Sequence, residues 1–355
     1  MNPDQHQPTH KQVAKQFECS LDSSYDELLR GIADESHILQ APYGEFDRHD
    51  RELVLPARIT RGLGQTASLG ETLQKKPEVI LATSGIGDMP EAPAYAFFDS
   101  VLALQTGATV VRAGNPSVKN TRLAPLEPGQ ANHMTSEQRR ALCMHGNFTP
   151  AAEAVAASLV QTLVHEHLEQ SRKTAIAPSL GASILAAGLG GFYKRDVGLD
   201  GIAFLDPVGF EAYPARTRFA QMLKANAQID TYRRFNHPLQ NAAEGTQAET
   251  TRSFVQNAIP NLLYGARGIT GGTMTRDIME HHNLLKEAQT PILSISAGAS
   301  EYETATATRE AMSQLYDRGL NTDWRSIDNA SHMITILTEL WRHADRLLRL
   351  QTRAQ

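Results

Sequence analysis

Short, unbroken apolar runs recur along this chain, with longer amphipathic stretches between them. Residues 78–83 read Glu-Val-Ile-Leu-Ala-Thr, and residues 109–113, 174–177, 201–205 and 291–296 carry runs of the same kind. A run without polar alternation predicts a strand covered on both faces, as in a parallel sheet. Residues 94–106, the stretch after Thr149, the stretch from the serine turn through Ala187 and residues 305–318 predict helices instead. After Thr149, Val155, Leu159 and Leu163 form a column at i+4 spacing with Val160 and Val164 beside it, while Thr149 and Pro150 suit the N-cap and first helical position. Strand–helix–strand alternation of this kind builds parallel sheets. Residues 37–42 and 52–60, joined by the polar turn 47–51, predict an antiparallel pair at a sheet edge. Residues 323–327 predict the last strand, and the closing helix presents Leu337, Leu340, Ala344, Leu347 and Leu348 on one face. The expected fold class is therefore α/β, a mostly parallel central sheet flanked by helices.

Two regions break the rhythm. Residues 1–40 are polar with one helical stretch at 25–32, and are expected to form an N-terminal arm packed loosely on the body. Residues 211–287 are polar, rich in Arg, Asn and Gln, and helical without a clear strand. Inserted between two strands, they are expected to sit over the strand ends as a lid, with residues 41–210 and 288–355 forming the core. Residues 117–138 read as loop.

At 355 residues, 41% hydrophobic and 21% charged, the composition is that of an ordinary globular protein, with a formal net charge of −5. No dense basic run supplies an electrostatic footprint for nucleic acid or anionic lipid. No stretch approaches the roughly 20 apolar residues of a membrane helix, and the polar N-terminus carries no secretory pattern. The two cysteines, Cys19 and Cys143, argue for a reduced compartment. A cytoplasmic location is the expectation.

The chemistry centres on Ala177-Pro178-Ser179-Leu180-Gly181. A strand that breaks at a serine and passes straight into a helix lifts the hydroxyl out of the sheet, and small neighbours let the turn close. A serine hydroxyl is a poor nucleophile without a base. Of thirteen histidines, His332 alone follows a late strand in a short loop, where its ring can reach back over the strand ends. An acid must orient that ring. Glu301 is the first choice, because the strand before it commonly neighbours the histidine strand. Asp206, which ends the earlier strand in Leu205-Asp206-Pro207, is the alternative, with Asp328 and Glu303 behind both. Candidate oxyanion donors are the Leu180 N–H and the turn after residue 83, at Ser84 and Gly85.

Other motifs carry less. His165-Glu166-His167 lacks the spacing that sets two histidines on one helix face, and reads as a polar helix end rather than a metal site. The Gly-rich turns near Gly62 and Gly188 lack the lysine and following Ser or Thr of a phosphate loop. No cofactor or metal is implied.

In Thr83-Ser84-Gly85, Ala177-Pro178-Ser179-Leu180-Gly181, Gly298-Ala299-Ser300-Glu301 and Ser331-His332-Met333, the chain resembles the α/β-hydrolase superfamily over most of its length. The resemblance implies an oxyanion turn, nucleophile, acid and base at those four places, as in esterases, lipases and thioesterases. Departures are Ala177 for the first glycine, Pro178 where histidine is common, Thr-Ser-Gly in place of His-Gly, and glutamate in place of aspartate. The Leu-Asp-Pro run resembles lipases that take their acid from the earlier strand. The expected function is a serine hydrolase cleaving a small-molecule carboxylic ester or thioester through an acyl-enzyme intermediate, with a lid that sets acyl or alcohol preference. The rivals are a non-catalytic small-ligand-binding protein on the same fold, and an acyltransferase or lyase using the same pocket.

Overall fold

The computed structural model describes residues 8–21, 23–62, 77–83, 93–114, 125–145, 147–236 and 272–353. Its strands are β1 (His37–Phe46), β2 (Glu52–Thr60), β3 (Glu78–Thr83), β4 (Thr109–Ala113), β5 (Gln130–Ala131), β6 (Arg172–Pro178), β7 (Gly201–Leu205), β8 (Ile292–Ala297) and β9 (Thr322–Ile327). They form one sheet in the order β1-β2-β4-β3-β6-β7-β8-β9, with β5 paired to β2. The β1–β2 and β2–β4 pairs are antiparallel, and every pair from β4 onward is parallel. The central strands β3, β7 and β8 are mostly apolar and, apart from Glu78 at the start of β3, buried throughout, as expected for strands covered on both faces.

The helices are α1 (His10–Gln16), α2 (Asp26–Glu35), α3 (Pro93–Thr106), α4 (Ser136–His145), α5 (Thr149–His165), α6 (Leu180–Tyr193), α7 (Ala215–Asn226), α8 (Ile229–Arg233), α9 (Met274–Met279), α10 (His282–Glu287), α11 (Ala305–Asp317) and α12 (Thr338–Arg353). Helices α5 and α6 pack on each other and on the sheet, as do α3 and α12. Val155, Leu159, Val160 and Leu163 are buried, whereas Val164 is exposed. Helix α5 starts one residue earlier than the sequence suggests, with Phe148 as its N-cap. The residues near Gly188 are not a turn, because α6 runs through them to Tyr193. A Cβ at Gly188 would stand 2.8 Å from the Ala152 carbonyl oxygen, and one at Gly191 would stand 2.7 Å from the Ala156 Cβ. These glycines cost helix propensity, about 1 kcal/mol each, and let α5 and α6 approach closely.

The N-terminal segment is anchored rather than loose. Val13, Ala14, Leu29 and Ile32 are buried, α1 packs on α8, and α2 packs on α3. The Cys19 N–H donates to the Phe235 carbonyl at 3.0 Å, and the Ser20 hydroxyl donates to Glu339 at 3.2 Å. The sheet itself begins at His37, inside the range expected for the arm. The described parts of 211–287 are helical, with α9 packed on α6, and α8 on the 3-10 helix His332–Ile336. Within 117–138, β5 and the start of α4 replace loop.

Register decides where the site lies. Pro178 pairs with Leu205, and Leu205 pairs with Ile295. The residues that follow β6 and β7, Ser179 and Asp206, thus emerge side by side at the carboxyl edge of the sheet, where parallel α/β sheets present their ligand sites.

Candidate active site

Ser179 sits between the last residue of β6 and the first of α6, with φ 51° and ψ −127°. Such a backbone conformation costs a non-glycine residue of order 1–3 kcal/mol and persists only where its surroundings hold it. Here they do. The Ser179 N–H donates to the Leu205 carbonyl at 3.0 Å, and its own carbonyl accepts from Val208 N–H at 3.2 Å. On the other side, the Thr83 hydroxyl donates to the Gly181 carbonyl at 3.0 Å, tying the end of β3 to the same turn. Ser179 makes no side-chain cap on α6, and Leu180 occupies the first helical position, where an N–H has no intrahelical partner. Ser84 and Gly85 lie outside the described residues.

Ser179 and His332 meet. His332 Nε2 lies 2.9 Å from Ser179 Oγ, and His332 Nδ1 lies 2.5 Å from Asp206 Oδ2. An ionised carboxylate can only accept, so Nδ1 carries the proton and Nε2 accepts from the serine hydroxyl. The His332 and Asp206 side chains are 4% and 1% exposed, while Ser179 is partly exposed. Asp206, with φ 40°, also accepts from the Ala297 N–H at 2.8 Å and from the Ser300 hydroxyl at 2.6 Å. Three donors in fixed directions hold its carboxylate against the ring.

Glu301, the first choice for the acid, is not on the ring. Its Oε2 accepts from the His332 main-chain N–H at 3.0 Å and from the Ser331 hydroxyl at 3.1 Å. The reason is offset along the chain: Asp206 directly follows β7, whereas the loop after Ala297 carries Glu301 past the imidazole to its peptide. Glu303 lies elsewhere, buried and accepting from the Gly209 N–H, the Glu211 N–H and Arg218 Nη2 at 2.8, 3.0 and 2.8 Å. Burial pushes its carboxyl up to about 7, against the pull of the Arg218 guanidinium.

Two neighbours carry no sequence signal of their own. Ser300 is a lone hydroxyl in a loop, and the Tyr302 ring lies 4.3 Å from the His332 ring, centroid to centroid. Only the path of the loop after β8 brings both to the histidine. Glu166 pairs with Arg61 at 2.6 Å and His37 at 3.0 Å. Among the described residues, no cluster of three or more His, Cys, Asp or Glu is arranged to hold a metal ion, and no helix is long and apolar enough to cross a membrane.

No protein-family model and no curated protein matches the sequence. Solved structures do match. An esterase of Pyrococcus furiosus is 13% identical, with 91% of this chain and 92% of that one covered at a TM-score of 0.51. The 2-hydroxy-6-oxo-6-phenylhexa-2,4-dienoate hydrolase of Rhodococcus sp. strain RHA1 is 14% identical, with 90% and 99% covered at 0.50. A serine hydrolase of Cycloclasticus zankles is 11% identical, with 89% and 96% covered at 0.50. At such identities the likeness concerns architecture, and it agrees with the strand order and the sharp turn after β6: the chain has the α/β-hydrolase fold.

Proposed function

We propose that this protein is a serine hydrolase that cleaves a carboxylic ester or thioester through an acyl-enzyme intermediate. The observation that carries the reading is the continuous run from Ser179 Oγ to His332 Nε2 at 2.9 Å and from His332 Nδ1 to Asp206 Oδ2 at 2.5 Å. His332 takes the serine proton as Oγ attacks the acyl carbon, then delivers it to the departing alcohol or thiol. Asp206 keeps the imidazole in the required tautomer and stabilises the imidazolium. Water, deprotonated by the same nitrogen, then releases the acid and restores Ser179. The oxyanion draws on the Leu180 N–H and on a second N–H, assigned here to Ser84 or Gly85, each donor contributing about 3 kcal/mol to the transition state. Residues 211–287 act as the lid that shapes substrate preference. That the similar structures include an esterase and a serine hydrolase supports the same chemistry.

A fluorophosphonate probe tests the reading. The folded protein is expected to label at Ser179, mapped by peptide mass spectrometry, and Ser179→Ala is expected to abolish the label. Folded protein that takes up no probe would overturn the proposal in favour of a non-catalytic binding role. A panel of p-nitrophenyl esters and acyl thioesters then ranks the substrates.

A further inference from the structure

Orienting an imidazole requires more than a carboxylate on its ring, because the ring swings with the peptide that bears it. The two successive peptides that lead into His332, Ala330–Ser331 and Ser331–His332, are each held through their N–H. Glu301 Oε2 accepts from the His332 N–H at 3.0 Å and from the Ser331 hydroxyl at 3.1 Å. One residue earlier, Tyr232 of α8 accepts the Ser331 N–H on its phenol oxygen at 2.7 Å. Tyr232 and Ser331 are both fully buried. Burial pushes the Tyr232 phenol up to about 12, so it remains neutral throughout the ordinary pH range. The same inserted segment also reaches the far end of the 3-10 helix, where Asn236 Nδ2 donates to the Ile336 carbonyl at 2.8 Å.

We infer that Glu301 and Tyr232 are positioning residues for His332, fixing the base through its main chain while Asp206 fixes it through its ring. The inference rests on the serine-hydrolase reading above. It gives the insertion a share in organising the base: α8 supplies one of the two acceptors. It also accounts for an acidic residue so close to the histidine that leaves the ring to another carboxylate. Substitution at Glu301 is mild on packing grounds, because the residue lines a polar opening of about 410 Å³ shared with Gln221, Lys224 and Ser300. A shorter side chain there leaves space that water can fill.

The test combines kcat and KM on a p-nitrophenyl ester, the rate of fluorophosphonate labelling at Ser179 and the thermal midpoint, for Glu301→Ala, Glu301→Gln and Tyr232→Phe. Misplacing a reacting group by about 1 Å costs about 100-fold, so Glu301→Ala is expected to lose about that factor in kcat and labelling rate, with KM nearly unchanged. Glu301→Gln keeps an acceptor oxygen and should recover to within about threefold of the wild type. Tyr232→Phe should lose about tenfold, and it carries the test should Glu301→Ala not fold. The double variant should lose less than the product of the single losses, since the two residues hold adjacent peptides of the same short segment. Wild-type rates in Glu301→Ala, a loss confined to KM, or a Gln variant as slow as Ala would overturn the inference. Wild-type protein that does not label at all sinks the hydrolase reading instead, so the two failures are told apart.

Discussion

Asp206 and Glu301 approach His332 from the carboxyl ends of adjacent strands, yet one meets the imidazole and the other meets the peptide behind it. Asp206 is the first residue after β7, almost wholly buried, with both carboxylate oxygens taken by donors of fixed direction. Glu301 lies beyond β8 at the end of a short loop, partly exposed, and uses one oxygen for both of its bonds. What separates them is their offset from the strand end, not their chemistry. A side chain that leaves a strand directly inherits the rigidity of the sheet and can aim at a ring atom. One that leaves a loop reaches whatever the loop passes, here a backbone N–H.

The contrast breaks if either carboxylate can stand in for the other. Asp206→Asn keeps the shape but can turn an amide N–H toward Nδ1, which favours the wrong tautomer. A loss of about 10⁴-fold in kcat is expected, with the fold retained by circular dichroism. A loss of tenfold or less would mean that Glu301 takes over the ring, and the assignment of the two roles would fail.

The same offset explains which parts of the site could be read in advance. The central strands declare themselves as apolar runs, Ser179 by its place between a strand and small residues, and His332 by following the last strand. All three are local signals. Choosing between Asp206 and Glu301 depends on the pairing of Leu205 with Ile295 and on the path from Ala297 to Glu301, neither of which is written in any short window. Arg112 shows a similar limit. A charge in a buried strand is unreadable without its surroundings: Arg112 pairs with Asp99 of α3 at 2.6 Å, and its guanidinium lies against the Trp341 and Phe98 rings. The start of α4 carries a local signal that its polar neighbours hide: Thr135 and Gln138 cap each other's N–H groups at 3.1 and 3.0 Å, the Thr-x-x-Gln signature of a helix beginning.

Glu303 extends the comparison to a carboxylate that touches neither ring nor base peptide. Its folded-state value of about 7 lies above that of an unfolded glutamate, so between those two values the folded chain binds the proton more tightly. Its contribution to stability is therefore fully present below about pH 4 and is lost as pH rises through about 7. The change amounts to about 3 kcal/mol, at 1.36 kcal/mol per unit. Glu303→Gln cannot ionise, and its unfolding free energy, measured by denaturant titration from pH 4.5 to 8, should lack that component of the wild-type decline. Parallel wild-type and variant profiles would show that Arg218 balances the burial of the carboxylate.

The finest division of the comparison lies at Ser300, which belongs to the Glu301 loop but serves Asp206. Its hydroxyl donates at 2.6 Å to Oδ2, the same oxygen that accepts from the imidazole. Ser300→Ala has two opposing effects. With one donor fewer, Oδ2 becomes a stronger acceptor for the ring, which favours the imidazolium. It also loses one of the three bonds that aim it, leaving the Ala297 N–H on Oδ1 and the ring itself. A hydrogen bond to a charged group contributes about 1.5–3 kcal/mol, and the loss of aim should dominate, lowering kcat about tenfold while KM holds. A Ser300→Ala enzyme of undiminished kcat would mean that β7 and the Ala297 N–H alone hold Asp206. The strand-end offset would then account for the whole difference between the two acids, with the loop after β8 serving only the peptide of His332.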